Sequence, residues 1–301
     1  MSRTHAHTHT HTLTHSLTHT HTLTNQEHLI PFTSVGTRLR PSTVAALICE
    51  VCRKELQTEC CLINGATIMG NKNYPVFSYP SEDGREVNCA NITYAQLQEE
   101  LPFPTKMVVV SLPGLVIAEA VKWSREDGQC GVEKRGYLQH DYRMTVDEDN
   151  IVTHINSEAL DPERKYLVAI PRNLLAGFTN IRPLVRWAQE NAAEMPDDGI
   201  FSPAFQLVVG HYAQQIWEGL GEFAEMDTNL DGQISREELC HAVSIRMGKE
   251  PSEQLLDTMM DALDQDGDGM ISQEEFDRFQ VRARRRRQTS HASSTSLQRH
   301  H

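Results

Sequence analysis

The amino-acid sequence predicts a mixed α+β domain followed by an all-α segment, with polar tails that we expect to be disordered. Three observations support this prediction. From residue 29 to about residue 198, apolar runs of helix length alternate with runs of strand length. From residue 199, helical apolar patterns flank two acidic twelve-residue segments. Residues 1–28 and 288–301 are rich in His, Thr and Ser.

These shifts in composition divide the 301 residues into four segments. They are a low-complexity leader (1–28), a first domain (29–198), a second domain (199–287) and a tail (288–301). The length suits two domains of ordinary size. The alternating His and Thr of the leader are what translation of a CA dinucleotide repeat produces; transition-metal chelation by its eight histidines is the alternative.

The charge of the chain limits its partners. A formal net charge of −13 disfavours a general nucleic-acid binder, because phosphate contacts require clustered cations. Arg282 and the arginines of residues 284–287 are a local exception at the end of the last expected helix. A solvated helix end explains them, since cations suit a helix C-terminus; a localisation signal or contact with an acidic surface is the alternative.

The sequence contains no apolar stretch of membrane-spanning length. The best candidate, residues 107–121, is interrupted by Pro113 and Gly114. The N-terminus also has no apolar signal-peptide core. We therefore expect no membrane span, and a cytoplasmic location is favoured for the chain as written.

Seven cysteines form an odd set without regular spacing, so no disulfide framework is predicted. Cys49 and Cys52 form a C-x-x-C pair within an apolar helical pattern. No second pair follows at the spacing of a zinc ribbon. We expect buried structural thiols rather than a metal or redox site.

The first half of the α+β domain contains two helices with recognisable N-terminal caps. Ser42 precedes a helical apolar pattern and is expected to cap that helix. Thr93 and Gln96 have the spacing of a capping box, so a helix is expected to start after Thr93 and to end before Pro102. Between the two helices, an apolar strand leads into a turn at Asn64 and Gly65.

The second half contains two strands and a helix. Residues 107–110 are an apolar, β-branched run, which predicts a buried strand. Residues 115–123 follow a Pro-Gly pair and have helical periodicity. Residues 166–170 predict another strand, which Pro171 ends.

A series of short motifs occurs in fixed order between residues 36 and 187. They lie at residues 38–40, 64–68, 92–94, 101–103, 113–114, 136–139, 160–162 and 166–169. Each motif is weak alone, but together they resemble the C-terminal domain of 5′-nucleotidases. The resemblance implies an α+β domain that recognises a nucleotide. In that family, a separate metallophosphoesterase domain holds two metal ions that activate water against the phosphoester.

The resemblance implies nucleotide contacts for four residues. By position, Arg38 and Asn64 correspond to residues that contact the nucleotide, and Phe103 corresponds to one of two rings that sandwich the base. Phe178 is a candidate second ring, although its local spacing departs from the family's. Ordinary packing is the alternative for both rings, and a solvated surface is the alternative for Arg38.

The sequence departs from the family's pattern at two positions. Ala66 stands where the family has a second glycine, which adds a methyl group where the backbone approaches closely. Met69 stands where the family has an arginine, and methionine cannot donate hydrogen bonds to an anion. No cluster of Asp, His and Asn metal ligands precedes Arg38. We therefore expect the chain as written to lack the catalytic metal centre, and it is not expected to be an active enzyme alone.

The segments 227–238 and 264–275 share one pattern of oxygen-bearing side chains. Positions 1, 3, 5, 9 and 12 carry these side chains, position 6 is glycine, and position 7 offers its backbone carbonyl. The expected ligands are Asp227, Asn229, Asp231, Gln233, Ser235 and Glu238 in the first segment and Asp264, Asp266, Asp268, Met270, Ser272 and Glu275 in the second. This pattern is typical of an EF-hand, which wraps about six to eight oxygens around Ca²⁺. The sequence therefore predicts two calcium sites; an acidic turn without an ion is the alternative.

The flanking residues predict a pair of such loops. The loops start 37 residues apart, which leaves room for two helices, and Ile234 and Ile271 are expected to pair between the loops. The apolar faces expected before the first loop, before the second loop and after it contain Ile216, Leu220 and Phe223; Leu255, Leu256, Met259, Met260 and Leu263; and Phe276 and Phe279. The second loop has four ligand carboxylates against three, so we expect it to bind Ca²⁺ more tightly.

Two functions follow from these patterns. The first is a calcium-binding regulatory protein, in which an EF-hand pair reports calcium to a nucleotidase-like domain without a catalytic metal centre of its own. The second is the C-terminal part of a 5′-nucleotidase-family hydrolase of nucleotide catabolism that is regulated by calcium. The expected partners are calcium, a nucleotide, and a partner helix or acidic surface.

Overall fold

A computed structural model of the chain describes residues 31–80, 86–90, 92–126, 131–247 and 250–281. The leader, the tail, the arginines at 282 and 284–287, and Cys130 lie outside the described residues. Contacts divide the chain into an N-terminal unit that ends at His211 and a C-terminal unit that begins at Tyr212.

The N-terminal unit is a mixture of helices and strands. Its elements, in chain order, are α1 (Thr43–Glu55), β1 (Cys60–Asn64), β2 (Val76–Pro80), β3 (Glu86–Ala90), α2 (Tyr94–Glu100), β4 (Lys106–Pro113), α3 (Gly114–Arg125), β5 (Leu138–His140), β6 (Met144–Val146), β7 (Val152–Ile155), β8 (Glu158–Ala159), β9 (Lys165–Pro171), α4 (Arg172–Leu175), α5 (Arg182–Glu190) and β10 (Ser202–Pro203). The predicted α+β class is confirmed for this unit.

A mixed five-stranded sheet with strand order β10-β4-β9-β1-β5 organises the unit. β1 and β9 are parallel, and the other neighbours are antiparallel. The predicted strands at 107–110 and 166–170 are confirmed as parts of β4 and β9, which pair from Met107 opposite Pro171 to Pro113 opposite Lys165. Two smaller antiparallel sheets contain β2-β3 and β6-β7-β8.

The predicted helix caps are present. The side chain of Ser42 accepts a hydrogen bond from the backbone N–H of Ala45, at the start of α1. Thr93 and Gln96 form both hydrogen bonds of a capping box at the start of α2. Because caps depend on residues only three positions apart, the sequence alone identifies them.

Helices cover both faces of the sheet. On one face, strand residues such as Leu62 and Val110 share a core with side chains of the helices α3, α4 and α5, among them Ile117, Ala120, Val121, Leu174, Leu175, Leu184 and Trp187. On the other face, α1 packs against β1 and β5. Burial on both faces explains why every residue of β1 is buried and why residues 60–63 are continuously apolar rather than alternating.

The contact between α1 and β1 includes three thiols. The side chain of Cys61 forms hydrogen bonds with those of Cys49 and Cys52, and all three residues are buried and free of disulfides. Burial raises the pKa of Cys49 and Cys61, which keeps both groups protonated and unreactive. The expected burial of Cys49 and Cys52 is confirmed.

A buried ion network lies beside these thiols. The guanidinium of Arg53 contacts both carboxylate oxygens of Glu50, at 2.6 and 3.2 Å, and lies 3.6 Å from Asp141. Asp141 also accepts the backbone N–H groups of Cys61 and Arg143. Burial raises the pKa of Asp141 to about 6, in spite of these donors. Arg53 is therefore the main compensation for Glu50, and for Asp141 it acts beside the backbone N–H of Cys61.

The C-terminal unit is helical, as predicted. Its elements are α6 (Ala204–Gly219), which begins before the division between the units, α7 (Phe223–Met226), β11 (Gln233–Ile234), α8 (Arg236–Met247), α9 (Glu253–Leu263), β12 (Ile271–Ser272) and a helix over residues 273–281. Ile234 pairs with Ile271, as expected. The five apolar residues predicted for α9 are all buried, and so are Phe276 and Phe279.

The apolar face predicted before the first loop is wrong in one respect. Ile216, Leu220 and Phe223 do not belong to one continuous helix, because α6 ends at Gly219 and α7 starts at Phe223. Gly221 has φ +105°, which no helix tolerates and only glycine adopts readily. The fully buried side chain of this segment is Trp217, whereas Ile216 is only half-buried.

The buried ion network makes a testable prediction. Arg53→Met leaves Glu50 and Asp141 without their buried cation, so we expect a loss of about 3–5 kcal/mol in the free energy of unfolding. Lys54→Met is the matched control, because Lys54 also contacts Glu50 but its side chain is 44% exposed; its expected cost is below about 1 kcal/mol. Urea denaturation measures both. Equal costs for the two variants would contradict the assignment.

Candidate functional site

Glu238 closes the first acidic loop. Its Oε1 accepts the backbone N–H groups of Thr228 and Asn229, at 2.8 and 3.2 Å, and the hydroxyl of Thr228 at 2.9 Å. Its Oε2 accepts the backbone N–H and the hydroxyl of Ser235, both at 2.9 Å. One carboxylate therefore joins the beginning of the loop to its end.

Glu275 does the same in the second loop. Its Oε1 accepts the backbone N–H of Gln265 at 2.7 Å, and its Oε2 accepts the N–H and hydroxyl of Ser272 at 2.9 and 2.7 Å. In both loops the serine hydroxyl accepts the N–H of the glutamate in return. The serine at position 9 and the glutamate at position 12 thus also form the capping box of the following helix.

These donors lower the pKa of both glutamates. The backbone N–H of Ser235, helped by the hydroxyls of Thr228 and Ser235, lowers the pKa of Glu238 to about 2. Burial raises the pKa of Glu275, but the donors from Gln265 and Ser272 outweigh it and lower the pKa overall. Both side chains are therefore carboxylates at neutral pH, as cation ligands must be.

The aspartates at position 1 hold the turn of each loop. Asp227 accepts the backbone N–H groups of Asp231 and Gly232, and Asp264 accepts those of Gly267 and Gly269. The glycines at position 6, Gly232 and Gly269, have φ +85° and +82°, as the EF-hand pattern requires.

Three of the predicted oxygen donors of the second loop lie close together. One oxygen from each of Asp264, Asp266 and Asp268 lies within 4.8 Å of the others. In the first loop, Asn229 replaces the carboxylate at position 3. Both loops offer only oxygen donors, which suits a hard cation such as Ca²⁺ rather than a soft metal. The sequence-predicted ligands therefore fit the ion.

The two aromatic rings predicted to contact a base are exposed. Phe103 is 55% exposed and Phe178 is 63% exposed, which is unusual for phenylalanine. Phe103 lines a cavity of about 340 Å³ together with Pro104, Thr105, Lys106, Arg172, Asn173 and Ala176. The backbone N–H of Phe178 donates to the carbonyl of Asn173 at 2.9 Å. Phe103 and the backbone of Phe178 thus both adjoin the segment around α4.

Asn64 and Arg38, the two polar residues predicted to contact the nucleotide, have partners within the protein. Asn64 is 1% exposed; its Nδ2 donates to the carbonyl of Arg135, and its Oδ1 accepts the hydroxyl of Thr67. Arg38 lies 3.5 Å from the carboxylate of Glu133 and 3.3 Å from the sulfur of Met69. Met69, which stands at the position of the family arginine, therefore lies next to the predicted anion contact.

Comparisons with known families agree with this division of the chain. Residues 19–186, more than half of the chain, match the model of the 5′-nucleotidase C-terminal domain. The chain belongs to the 5′-nucleotidase C-terminal domain family. Residues 221–279 match the model of an EF-hand domain pair. The protein therefore joins a 5′-nucleotidase C-terminal domain to an EF-hand calcium-binding pair, as the sequence motifs predicted.

Individual relatives match parts of the chain. A calmodulin-like protein of Oryza sativa subsp. japonica is 47% identical over 66 residues, which is 22% of this chain and 36% of that protein. A 5′-nucleotidase precursor from Thermus thermophilus (20% identity, TM-score 0.41) covers 60% of this chain and 33% of its own. The NAD nucleotidase of Haemophilus influenzae (10% identity, TM-score 0.37) covers 58% and 31%. The chain thus spans about a third of the length of these relatives.

Sequence reasoning missed three contributors to the EF-hand pair. Thr228 at position 2 donates its hydroxyl to Glu238, a role that Gln265 of the second loop does not share. Leu230 at position 4 has φ +59°, where the second loop has Gly267. Trp217 completes the core. Only the comparison of Leu230 with Gly267 was readable from the sequence.

Among the residues that the structure describes, no helix has both the length and the apolar composition of a membrane span.

The backbone at Leu230 makes a second prediction. A leucine in the left-handed region costs about 1–2 kcal/mol, and its 81% exposed side chain gains little by packing. Asparagine tolerates this conformation, so we expect Leu230→Asn to stabilise the C-terminal unit by about 1 kcal/mol. Gly267→Leu is the reciprocal control and is expected to destabilise. Calcium-free urea denaturation measures both, and changes of the same sign would contradict the strain argument.

Proposed function

We propose that the chain binds one Ca²⁺ ion in each EF-hand loop and recognises a nucleotide with its N-terminal unit. The observation that carries the calcium part is the repetition of one arrangement in both loops. Glu238 and Glu275, each at position 12, join the start of the loop to its end through the same backbone and serine donors.

The residues of each loop have separate tasks. The glutamate at position 12 supplies two oxygens from the first turn of the following helix, so ion binding acts on that helix directly. The side chains at positions 1, 3, 5 and 9 and the carbonyls of Gln233 and Met270 supply the other donors. When bound, the ion neutralises carboxylates that otherwise repel one another.

The second loop is expected to bind more tightly. It has four ligand carboxylates, and one oxygen from each of three of them lies close to the others. It also has glycine at positions 4 and 6, the two positions of the loop with positive φ. The first loop has three ligand carboxylates and the strained Leu230. A higher charge count and a preorganised loop both favour the ion.

The calcium proposal predicts two binding events in isothermal titration calorimetry, with Kd values on the order of 10⁻⁷–10⁻⁵ M. Glu275→Gln removes the bidentate ligand of the tighter site, and Glu238→Gln removes that of the weaker site. Glu274→Gln is the matched control, because Glu274 is exposed and contacts Arg278. Fewer than two sites in the wild type, or normal binding in both ligand variants, would refute the two-site proposal.

Nucleotide recognition is a second function, favoured by the two exposed rings beside α4. Contact between an exposed phenylalanine ring and water is unfavourable, and stacking of a base on the ring contributes about 1–3 kcal/mol per ring. We propose that Phe103 and Phe178 contact the base. Asn64 is buried, so its part in recognition is to hold the backbone at Arg135 rather than to touch the ligand.

Hydrolysis requires a separate centre. We propose that calcium-regulated hydrolysis of a nucleotide phosphoester belongs to an assembly that also contains a metallophosphoesterase centre, and that the residues described here supply the recognition part. The metal ligands of the EF-hand loops are assigned to calcium and not to the chemistry. This assembly corresponds to the second function predicted from the sequence, in which the chain takes part in nucleotide catabolism.

The nucleotide proposal predicts saturable binding of a nucleoside monophosphate such as AMP, measured by calorimetry. Phe103→Ala and Phe178→Ala should each weaken binding by about 1–3 kcal/mol. Met69→Arg should strengthen it, because it restores donors for an anion. Trp123→Ala is the control. Trp123 lines a separate groove of about 640 Å³ between α3 and α5, so loss of binding in this variant alone would place the ligand there and contradict the proposal.

A further inference from the structure

Trp217, at the end of α6, fills the interior of the EF-hand pair. It is 0% exposed, although it precedes the first loop by ten residues and lies before the break at Gly221. Its indole N–H donates to the backbone carbonyl of Met259 at 2.9 Å. Its ring centroid lies 6.2 Å from that of Phe276 and 6.4 Å from that of Phe279. One side chain thus contacts both α9 and the helix 273–281.

The break at Gly221 separates Trp217 from the helix that enters the first loop. α7, from Phe223 to Met226, is a single turn that leads directly to Asp227. α6 is a different helix, and its residues 212–219 belong to the C-terminal unit. Trp217 therefore reaches the pair from a helix that is separate from α7, as the anchor of a bound target helix does.

We propose that residues 212–219 are a built-in target helix of the EF-hand pair, with Trp217 occupying the apolar pocket that would otherwise take an external amphipathic helix. The inference rests on the proposed calcium function and names how that function is regulated. Any external helix must displace a tethered segment, whose effective concentration is high because it is covalently joined. The pair is autoinhibited by its own chain.

Both walls of this pocket are attached to the second calcium loop. Phe276 follows the ligand Glu275 directly in the chain. Met259 lies on α9, which ends at Leu263, immediately before the ligand Asp264. Movement of Glu275 onto an ion therefore moves the ring that contacts Trp217. Calcium binding opens the helices of sensor EF-hand pairs. We therefore expect calcium to weaken the contact between Trp217 and the pocket and to permit exchange with an external helix.

The chemistry of the contact defines the partner. A tryptophan is a frequent energetic anchor at helix interfaces because it buries a large ring and offers one N–H donor. The pocket offers aromatic rings from Phe276 and Phe279 and one hydrogen-bond acceptor, the Met259 carbonyl. The partner that fits is an amphipathic helix with a tryptophan on its apolar face.

A labelled peptide of residues 204–221 tests the proposal on the full chain. In saturating calcium, Trp217→Ala is expected to bind this peptide at least tenfold more tightly than the wild type, measured by fluorescence anisotropy. Trp123→Ala, an exposed tryptophan of the N-terminal unit, is the matched control and should behave as the wild type. The same peptide with alanine at position 217 should not bind.

Calcium titration of each variant separates this inference from the calcium proposal. If no variant binds calcium, the proposed function fails. If calcium binds but the wild type and Trp217→Ala take up the peptide equally, or neither does, the built-in target is refuted.

A second variant tests the proposal without removing the aromatic ring on which the folded pair depends. Trp217→Phe keeps an aromatic ring in the pocket, and subtraction of its emission from that of the wild type isolates the Trp217 signal. Excess peptide in calcium should increase quenching of this signal by acrylamide. Unchanged quenching would also overturn the proposal.

Discussion

The carboxylates of Glu238 and Glu275 are the interactions on which the C-terminal unit depends. Each one satisfies backbone N–H groups at both ends of its loop and also caps the helix that follows. Each twelve-residue loop has only two apolar side chains, Leu230 and Ile234 in the first and Met270 and Ile271 in the second, so these charge-assisted hydrogen bonds set its shape. In the proposed sites, each of these carboxylates also supplies two of the roughly six to eight oxygens that one calcium ion takes, which would join the structure of the pair to its function.

The N-terminal unit uses its polar groups in the opposite way. Asn64, Asp141 and Arg53 are buried and have protein partners, so they support the fold. The groups left for a ligand are the exposed rings of Phe103 and Phe178 near α4. The proposed stacking on a base would use this exposure, because a ring must face solvent before a base can stack on it.

Local patterns account for what the sequence predicted correctly. Ligand spacing, helix caps and the buried strands depend on residues within about one loop or one turn of each other. The missed features depend on distant partners. Asn64 is bonded to residue 135 and Trp217 to residue 259, so neither burial is visible in the local pattern. The break at Gly221 was readable as a glycine, but the apolar periodicity across it favoured a continuous helix.

Hydrogen–deuterium exchange with and without calcium tests the central claim most directly. If carboxylates in both loops hold the ion, backbone N–H groups in residues 227–238 and in residues 264–275 will exchange more slowly when calcium is present. The second loop should gain protection at the lower calcium concentration. Identical exchange in both loops with and without calcium would contradict the account.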